Sequence, residues 1–248
     1  MAGIGSYSQT ANPAWSDKAF RPGNNIAKRM TLQGSINRTF ILTIALFLSA
    51  AFAWSQYFND TNINGLLVLG LIAGLVLAVV TIFIPKVAPF TSIPYALAEG
   101  LVVGSVSAMY EDLYSGITMQ AVLLTFGVLL MMLLLYKTGI IKVTKKFRIG
   151  VICATGAILL AYLATLVMRL FGMHDVLYMH NSGPIGIVIS VGIVIVAALN
   201  LALDFDLIER GVKRNAPKYM EWYGAFGLMV TLVWLYLEIL RLIAKLRR

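Results

Sequence analysis

The sequence predicts an all-α integral membrane protein with seven transmembrane helices, and three observations support this fold class. Hydrophobic residues make up 59% of the 248 residues and charged residues only 12%, whereas a soluble domain carries about 25% charged residues. Each apolar segment is close to the ~20 residues that cross ~30 Å of hydrocarbon. Strand-like alternation is absent, and a helix satisfies its own backbone groups in lipid. The predicted spans are 38–58, 63–84, 92–110, 118–136, 150–171, 185–207 and 221–244.

The chain consists of two regions that differ in hydrophobicity. Residues 1–35 contain prolines, asparagines and mixed charges with few aliphatic side chains, so we predict a flexible cytoplasmic tail. No short apolar run follows the start, which argues against a signal peptide. Residues 36–248 are predicted to form one transmembrane domain, because the connections between its spans are short and leave no room for a soluble catalytic module.

Spans 1 to 3 carry signals for their ends. Span 1 finishes in aromatic residues that include Trp54 and Tyr57, which suit the membrane interface. Pro85, Pro89 and Pro94 lie between spans 2 and 3 or at the start of span 3, where they fit the end of one helix and the beginning of the next.

Small residues in spans 2 and 3 predict close helix packing. Gly70 and Gly74 form one GxxxG step, and Gly100 and Gly104 form another. Small residues at this spacing let two helix backbones approach each other. Span 4 ends in a run of Met and Leu without a polar group, and spans 6 and 7 are distinguished by buried acids.

The net charge of +9 is distributed as the positive-inside rule predicts. Basic residues cluster in 18–38, 137–148 and 210–218, which alternate with acidic connections. The acidic residues of the intervening connections are Asp60, Glu111, Asp112 and Asp175. This alternation predicts a cytoplasmic N-terminus. Contact with anionic lipid headgroups accounts for the basic clusters, so nucleic acid is not an expected partner.

The last span conflicts with this charge rule. Seven spans place Arg241, Lys245 and Arg247 on the side of the acidic connections. Either the earlier connections set the orientation, or the last helix re-enters the membrane. We favour a complete seventh span, because Lys and Arg side chains at a helix end reach the interface on either face.

Enzyme motifs are absent from the sequence, which contains no P-loop, HExxH, GxSxG or Cys-x-x-Cys pattern. We therefore predict that the protein is not an enzyme and has no cofactor. His174, His180 and Asp175 share one connection. Their spacing is irregular, so solvated loop histidines are favoured over a metal site there.

Carboxylates inside three apolar segments are the most informative feature for function. Glu99 lies in span 3, Asp204 and Asp206 lie near the end of span 6, and Glu238 lies in span 7. An ionisable group at the centre of a bilayer costs roughly 2.5–3.5 kcal/mol on insertion scales. Such groups face protein or water and often serve the movement of ions or protons.

Each acid also has a purely structural interpretation. Asp206 is followed four residues later by Arg210, which predicts an ion pair at the helix end. Glu238 has Arg241 three residues on, so an internal ion pair is the structural alternative there. Asp204 has no basic partner on its own helix and is the best candidate for a buried functional acid. Glu99 precedes Gly100, which opens space for another backbone or for water, and its structural alternative is a protonated acid hydrogen-bonded to a facing Ser or Tyr.

Two buried acids on different helices suggest a mechanism. Removal from water and a second nearby carboxylate both favour the neutral acid, and two such groups titrate as a coupled pair. When protonated, the pair can hydrogen-bond and hold two helices together. When ionised, it repels and presents hard oxygen ligands of the kind that bind Ca²⁺.

These acidic segments resemble the Bax inhibitor-1 family, also called the transmembrane Bax inhibitor motif family. The resemblance lies in ALAEGLVVGSVSAMYE, ALNLALDFDLIERG and LVWLYLEILRLIAKL. APKYMEWYGAFGLMVTLVWLYLEILRL and MTLQGSINRT are similar to the bacterial Bax inhibitor-1-like branch. The resemblance covers roughly residues 30–246 and implies a location in the bacterial plasma (inner) membrane.

The resemblance implies six helices around a central C-terminal helix and a pH-sensitive Ca²⁺ leak. Carried over by motif, the two sensor positions are Asp204 and Glu238, with calcium bound at the same two side chains. Glu238 departs from the aspartate usual in the family. Two regular helices would also place the acids at depths that differ by about 10 Å, which argues against a direct contact.

Two other functions stay open on the sequence alone. The basic tail would suit a membrane-embedded regulator that binds a membrane protease or a stress-response partner, a role linked to some bacterial relatives. A proton-coupled transporter of small solutes would require internal repeats and broken helices, and the sequence contains no convincing example of either.

Overall fold

Seven helices long and apolar enough to cross a membrane make up the described part of the protein. The structure is a computed structural model and describes residues 29–59, 63–171 and 183–247. Its helices are α1 (Leu32–Phe58), α2 (Asn64–Phe83), α3 (Ala88–Leu113), α4 (Ile117–Lys137), α5 (Lys145–Leu170), α6 (Pro184–Lys213) and α7 (Met220–Leu246), with one 3₁₀ turn at Pro85–Val87. The predicted fold class is confirmed.

Successive helices run in opposite directions between two ends of the bundle. The connections 138–144 and 214–219 lie at one end, which we call the basic end. At that end the Met30 amide donates a hydrogen bond to the Ala216 carbonyl at 2.7 Å. At the opposite end the Arg247 guanidinium donates to the Ser115 carbonyl at 2.8 Å. Helix α7 therefore runs from one end to the other, and the predicted complete seventh span is confirmed.

Helix α7 is the most buried helix of the bundle. It packs against α1, α3, α4 and α6, whereas α2 packs mainly on α3 and α5 mainly on α6. Its buried face includes Phe226, Leu235 and Leu240. The central position of the C-terminal helix agrees with the expectation, and α2 and α5 form the periphery.

The glycine pairs lie where helices approach most closely. A Cβ atom on Gly100 or Gly104 would overlap the backbone of α1 at Leu46 or Ala50. A Cβ on Gly70 would come within 2.8 Å of the Ala98 carbonyl oxygen on α3. Small residues at these positions are therefore required for the α1–α3 and α2–α3 contacts, as predicted.

Several helices extend beyond the predicted apolar spans. Helix α1 begins at Leu32, within the segment predicted as tail, because Thr31 caps it by accepting a hydrogen bond from the Gly34 amide at 2.9 Å. Helix α6 continues to Lys213, past the apolar run, because its charged last turns reach out of the hydrocarbon. Flexibility of the tail stays a prediction, and His174, Asp175 and His180 lie outside the described residues.

Candidate functional site at the buried acids

Asp204 is the most isolated acid of the bundle. It lies on the buried face of α6, with 4% of its surface exposed. The Thr231 side chain of α7 lies beside its carboxyl group, while the Thr231 hydroxyl donates to the Gly227 carbonyl of its own helix at 3.3 Å. The second oxygen of Asp204, Oδ2, is buried and has no hydrogen-bond partner among the described residues. One oxygen of this acid is therefore available inside the bundle.

Glu238 is equally buried but fully engaged. Tyr162 of α5 donates its phenol hydrogen to Glu238 Oε1 at 2.6 Å. The Arg241 guanidinium donates to the two carboxylate oxygens at 3.0 and 3.1 Å and to the Tyr162 hydroxyl at 2.6 Å. The Glu238–Arg241 ion pair, which was the structural alternative for this acid, is formed, and Tyr162 donates to it from a different helix.

The two predicted sensor positions are not brought into contact. Asp204 lies level with Thr231, and Glu238 is seven residues further along α7, or about 10 Å at 1.5 Å per residue. The offset arises because α6 ends at Lys213, only nine residues beyond Asp204, whereas Glu238 lies eighteen residues into α7. The described residues include no cluster of three metal-ligating Asp, Glu, His or Cys side chains. A calcium site shared by Asp204 and Glu238 is thus not formed in this arrangement.

Glu99 lies apart from both acids, between α2 and α3. Its carboxyl group lies beside the Tyr95 side chain, one turn earlier on α3. Gly74 of α2 makes room for its carboxylate, since a Cβ there would lie 3.1 Å from Glu99 Oε1. The Tyr95 ring packs edge-on against Phe226 of α7, with 4.8 Å between centroids. Glu99 is therefore linked to the central helix through Tyr95.

Asp206 is a structural ion pair at the basic end. Its Oδ2 atom lies 2.8 Å from Arg210, as predicted, and 3.1 Å from Arg148 of α5. The two neighbouring aspartates of span 6 therefore differ in role, because helical geometry turns them to different faces. Asp204 faces α7, and Asp206 faces the basic residues.

A polar ladder on α5, formed by Arg148, Thr155 and Tyr162, is the main feature that the sequence analysis missed. Arg148 pairs with Asp206, Tyr162 donates to Glu238, and the Asn200 amide donates to Thr155 Oγ1 at 2.8 Å. The seven-residue spacing of the three side chains places them on one face of α5. This seven-residue spacing is the sequence pattern from which the ladder could have been predicted. Helix α5 buries the smallest share of its residues, so these bonds are a large part of its attachment.

A second missed residue is Glu221 in the first turn of α7. It is 2% exposed. It accepts hydrogen bonds from the Thr31 amide at 3.0 Å and the Thr31 hydroxyl at 2.9 Å. A Cβ on Gly34 would overlap its carboxylate. This contact fixes the start of α1 to the start of α7, and the two partners are too distant in sequence for any local pattern to reveal it.

The fold and these acids define an α-helical integral membrane protein of seven spans with carboxylates at its interior. A family model described as Bax inhibitor 1 like matches residues 12–248. The chain belongs to this family, as its sequence motifs predicted. Searches among curated proteins and among solved structures return no match.

Proposed function

We propose that this protein is a pH-responsive cation leak that conducts Ca²⁺ across the membrane. Membership of the Bax inhibitor 1 like family supports this reading, because the sequence resemblance implies such a leak. The observation that carries the proposal is Asp204, a carboxyl group inside the bundle with one unpartnered oxygen. Packing alone gives no reason to bury a carboxyl group with an oxygen that has no hydrogen-bond partner.

Asp204 is proposed to act alone as the titrating acid. An ionised carboxylate without a counter-charge at this depth is costly, so the closed bundle favours the neutral acid. A cation that reaches the free oxygen would supply the missing charge, and hard oxygen ligands suit Ca²⁺. Because the cation binds the ionised form, flux is expected to increase as the pH rises.

Glu238 is assigned a different task. Its charge is compensated by Arg241, and its oxygens are already hydrogen-bonded. It therefore holds α5 and α7 together in this conformation. A cation that follows α7 beyond Thr231 would have to compete with Arg241 for the Glu238 carboxylate. Glu238 is therefore proposed to stabilise the closed conformation. Glu99 is proposed as a peripheral acid on the α2 side.

The test is calcium flux in liposomes loaded with a calcium dye. Wild type is compared with Asp204→Asn and with Asp206→Asn, a matched neighbour on the same helix. The proposal expects a higher flux at pH 8 than at pH 6 in wild type. It expects a flux in Asp204→Asn that no longer responds to pH. Equal flux at both pH values in wild type, or an unaltered Asp204→Asn, would refute it.

A role as a membrane-embedded regulator is the second candidate, and one contact favours it. Residues 29–31 are hydrogen-bonded to the start of the central helix and to the connection before it. Met30 bonds to that connection, and Thr31 bonds to Glu221. A membrane protease or stress-response partner that pulled on the tail would therefore act directly on α7. Deleting residues 2–27 should abolish co-purification of such a partner and leave calcium flux intact. Unchanged co-purification would refute this role.

A further inference from the structure

An apolar groove between α1, α3, α4 and α7 lies on a different side of the central helix from the buried acids. Its volume is about 610 Å³, within the 300–1,000 Å³ of typical ligand sites. Its floor is formed by α7, at Leu228, Leu232 and Tyr236, among other residues. Thr231 and Glu238 are not among its lining residues, so the groove is separate from the proposed ion path.

The groove is open towards the bilayer. Phe47 of α1 and Phe126 of α4 stack across it, with 6.3 Å between centroids, and they are 44% and 39% exposed. Met119 on the α4 rim is 64% exposed. An apolar cavity does not hold water, and the medium at this depth is hydrocarbon.

The length of the groove matches a single lipid chain. On α4 its lining runs from Thr118 to Leu129, about 16 Å of helix, and on α1 from Thr39 to Trp54, about 22 Å. One leaflet of a ~30 Å hydrocarbon layer is about 15 Å deep, so the groove is long enough for a chain that crosses one leaflet. The groove starts at the end of the bundle opposite the basic end, where the α3–α4 turn lies.

The charged side chains at the end of the groove opposite the basic end indicate which lipid headgroup fits there. Glu111 lines the groove and accepts hydrogen bonds from the Gly116 amide at 2.5 Å and the Thr118 amide at 3.0 Å. A carboxylate has about four acceptor sites, so Glu111 retains capacity for a further donor. Asp112 is the next residue along α3 and accepts a hydrogen bond from the Tyr57 hydroxyl at 3.1 Å. Arg247, whose charge attracts the Glu111 carboxylate, is bound to the same turn at Ser115. An ammonium group fits the two acids, and a phosphate fits the arginine.

We propose that this groove binds one acyl chain of a zwitterionic phospholipid, with the ammonium of its headgroup at Glu111 and Asp112 and its phosphate at Arg247. A free fatty acid fits less well, since its carboxylate would meet Glu111. Phosphatidylglycerol, an anionic phospholipid, lacks the ammonium that fits the acids. The bound chain fills the space between α1 and α4 and supports α7 from the side away from Asp204.

Photo-crosslinking tests the proposal. The protein is reconstituted with phosphatidylethanolamine carrying a diazirine in one acyl chain, and labelled peptides are mapped by mass spectrometry. Labelling is expected to concentrate on α1, α4 and α7 at the groove. Phosphatidylglycerol and a free fatty acid with the same diazirine are expected to label it about tenfold less, the ratio that 1.4 kcal/mol of affinity gives.

Variants make the test specific. Val122→Trp and Ala51→Trp fill the groove from α4 and α1 and should remove the labelling. Leu123→Trp, which faces outward with 64% of its surface exposed, should leave it unchanged. Asp112→Asn should reduce the preference for the ethanolamine headgroup.

Labelling spread evenly over all outward helix faces, or equal in Leu123→Trp and both filled variants, would overturn the proposal. Equal labelling by phosphatidylglycerol or by the fatty acid would overturn its headgroup assignment.

Discussion

Asp204, Glu238 and Glu99 illustrate how the same side-chain chemistry takes three roles in one bundle. Glu238 is hydrogen-bonded to a guanidinium and a phenol, Glu99 lies beside a tyrosine of its own helix, and Asp204 lies beside a threonine of α7 and has an oxygen without a hydrogen-bond partner. The number of partners decides the role of each acid. A compensated acid fixes the structure, whereas an under-compensated one responds to protons and cations.

The Glu238–Arg241 pair gives a prediction at this scale. Glu238→Gln leaves the half-buried Arg241 charge without its counter-charge, which is expected to cost about 3 kcal/mol of stability. Tyr162→Phe removes two interhelical hydrogen bonds, to Glu238 and from Arg241, and is expected to cost about 1 kcal/mol at about 0.6 kcal/mol each. The double variant Glu238→Gln/Arg241→Gln should be more stable than Glu238→Gln alone. Thermal unfolding in detergent measures all three, and a double variant less stable than Glu238→Gln would contradict the argument.

Gly34 gives a second prediction for single residues. In Gly34→Ala the new methyl group displaces the Glu221 carboxylate, and the hydrogen bonds of Thr31 to that buried acid are lost. The expected destabilisation is about 1–3 kcal/mol. Gly127→Ala is the matched control, because a Cβ at that helical position meets no neighbour within 4 Å. Equal thermal stability of the two variants would show that the α1–α7 contact does not depend on this acid.

At the scale of elements, the seven helices and the tight glycine contacts follow from the sequence, because span length and small-residue spacing are local properties. The ion pairs Asp206–Arg210 and Glu238–Arg241 are also local, at four and three residues. Partners on other helices were not predictable from this one sequence. Tyr162, Thr231 and the Thr31–Glu221 contact depend on how the helices are rotated and shifted against each other.

The polar ladder of α5 predicts how this peripheral helix is held. In Asn200→Leu/Tyr162→Phe the contacts of two of its three polar side chains with α6 and α7 are lost, so α5 should sample positions further from the bundle. Cys153 is the protein's single cysteine and lies on α5, so a spin label there and one at Leu123→Cys report the distance from α5 to α4. The distance distribution should broaden in the double variant. An outward-facing control, Leu159→Ala, should leave it narrow, and an unchanged distribution in the double variant would contradict the ladder.

At the scale of the whole molecule, charge and fold together predict orientation. The basic end carries the connections rich in Lys and Arg, and the opposite end carries Glu111 and Asp112. The positive-inside rule predicts that the basic end faces the cytoplasm and contacts anionic lipids, and the membrane expected from the family resemblance is a bacterial inner membrane.

Membrane-impermeant labelling of single cysteines tests this orientation in bacterial cells, in a Cys153→Ser background. Ser115→Cys should react in intact cells, and Lys142→Cys should react only after permeabilisation. Both positions lie in exposed connections, so a difference in labelling reports the side of the membrane. The reverse pattern would place the N-terminus outside.

The central claim is that Asp204 is the group that exchanges a proton inside the bundle. Infrared difference spectroscopy between pH 6 and pH 8, on protein in lipid vesicles, measures the carbonyl band of a protonated carboxyl group directly. The account predicts a band at pH 6 that is lost at pH 8 in wild type and in Asp206→Asn, and that is missing in Asp204→Asn. An identical difference band in Asp204→Asn would contradict it.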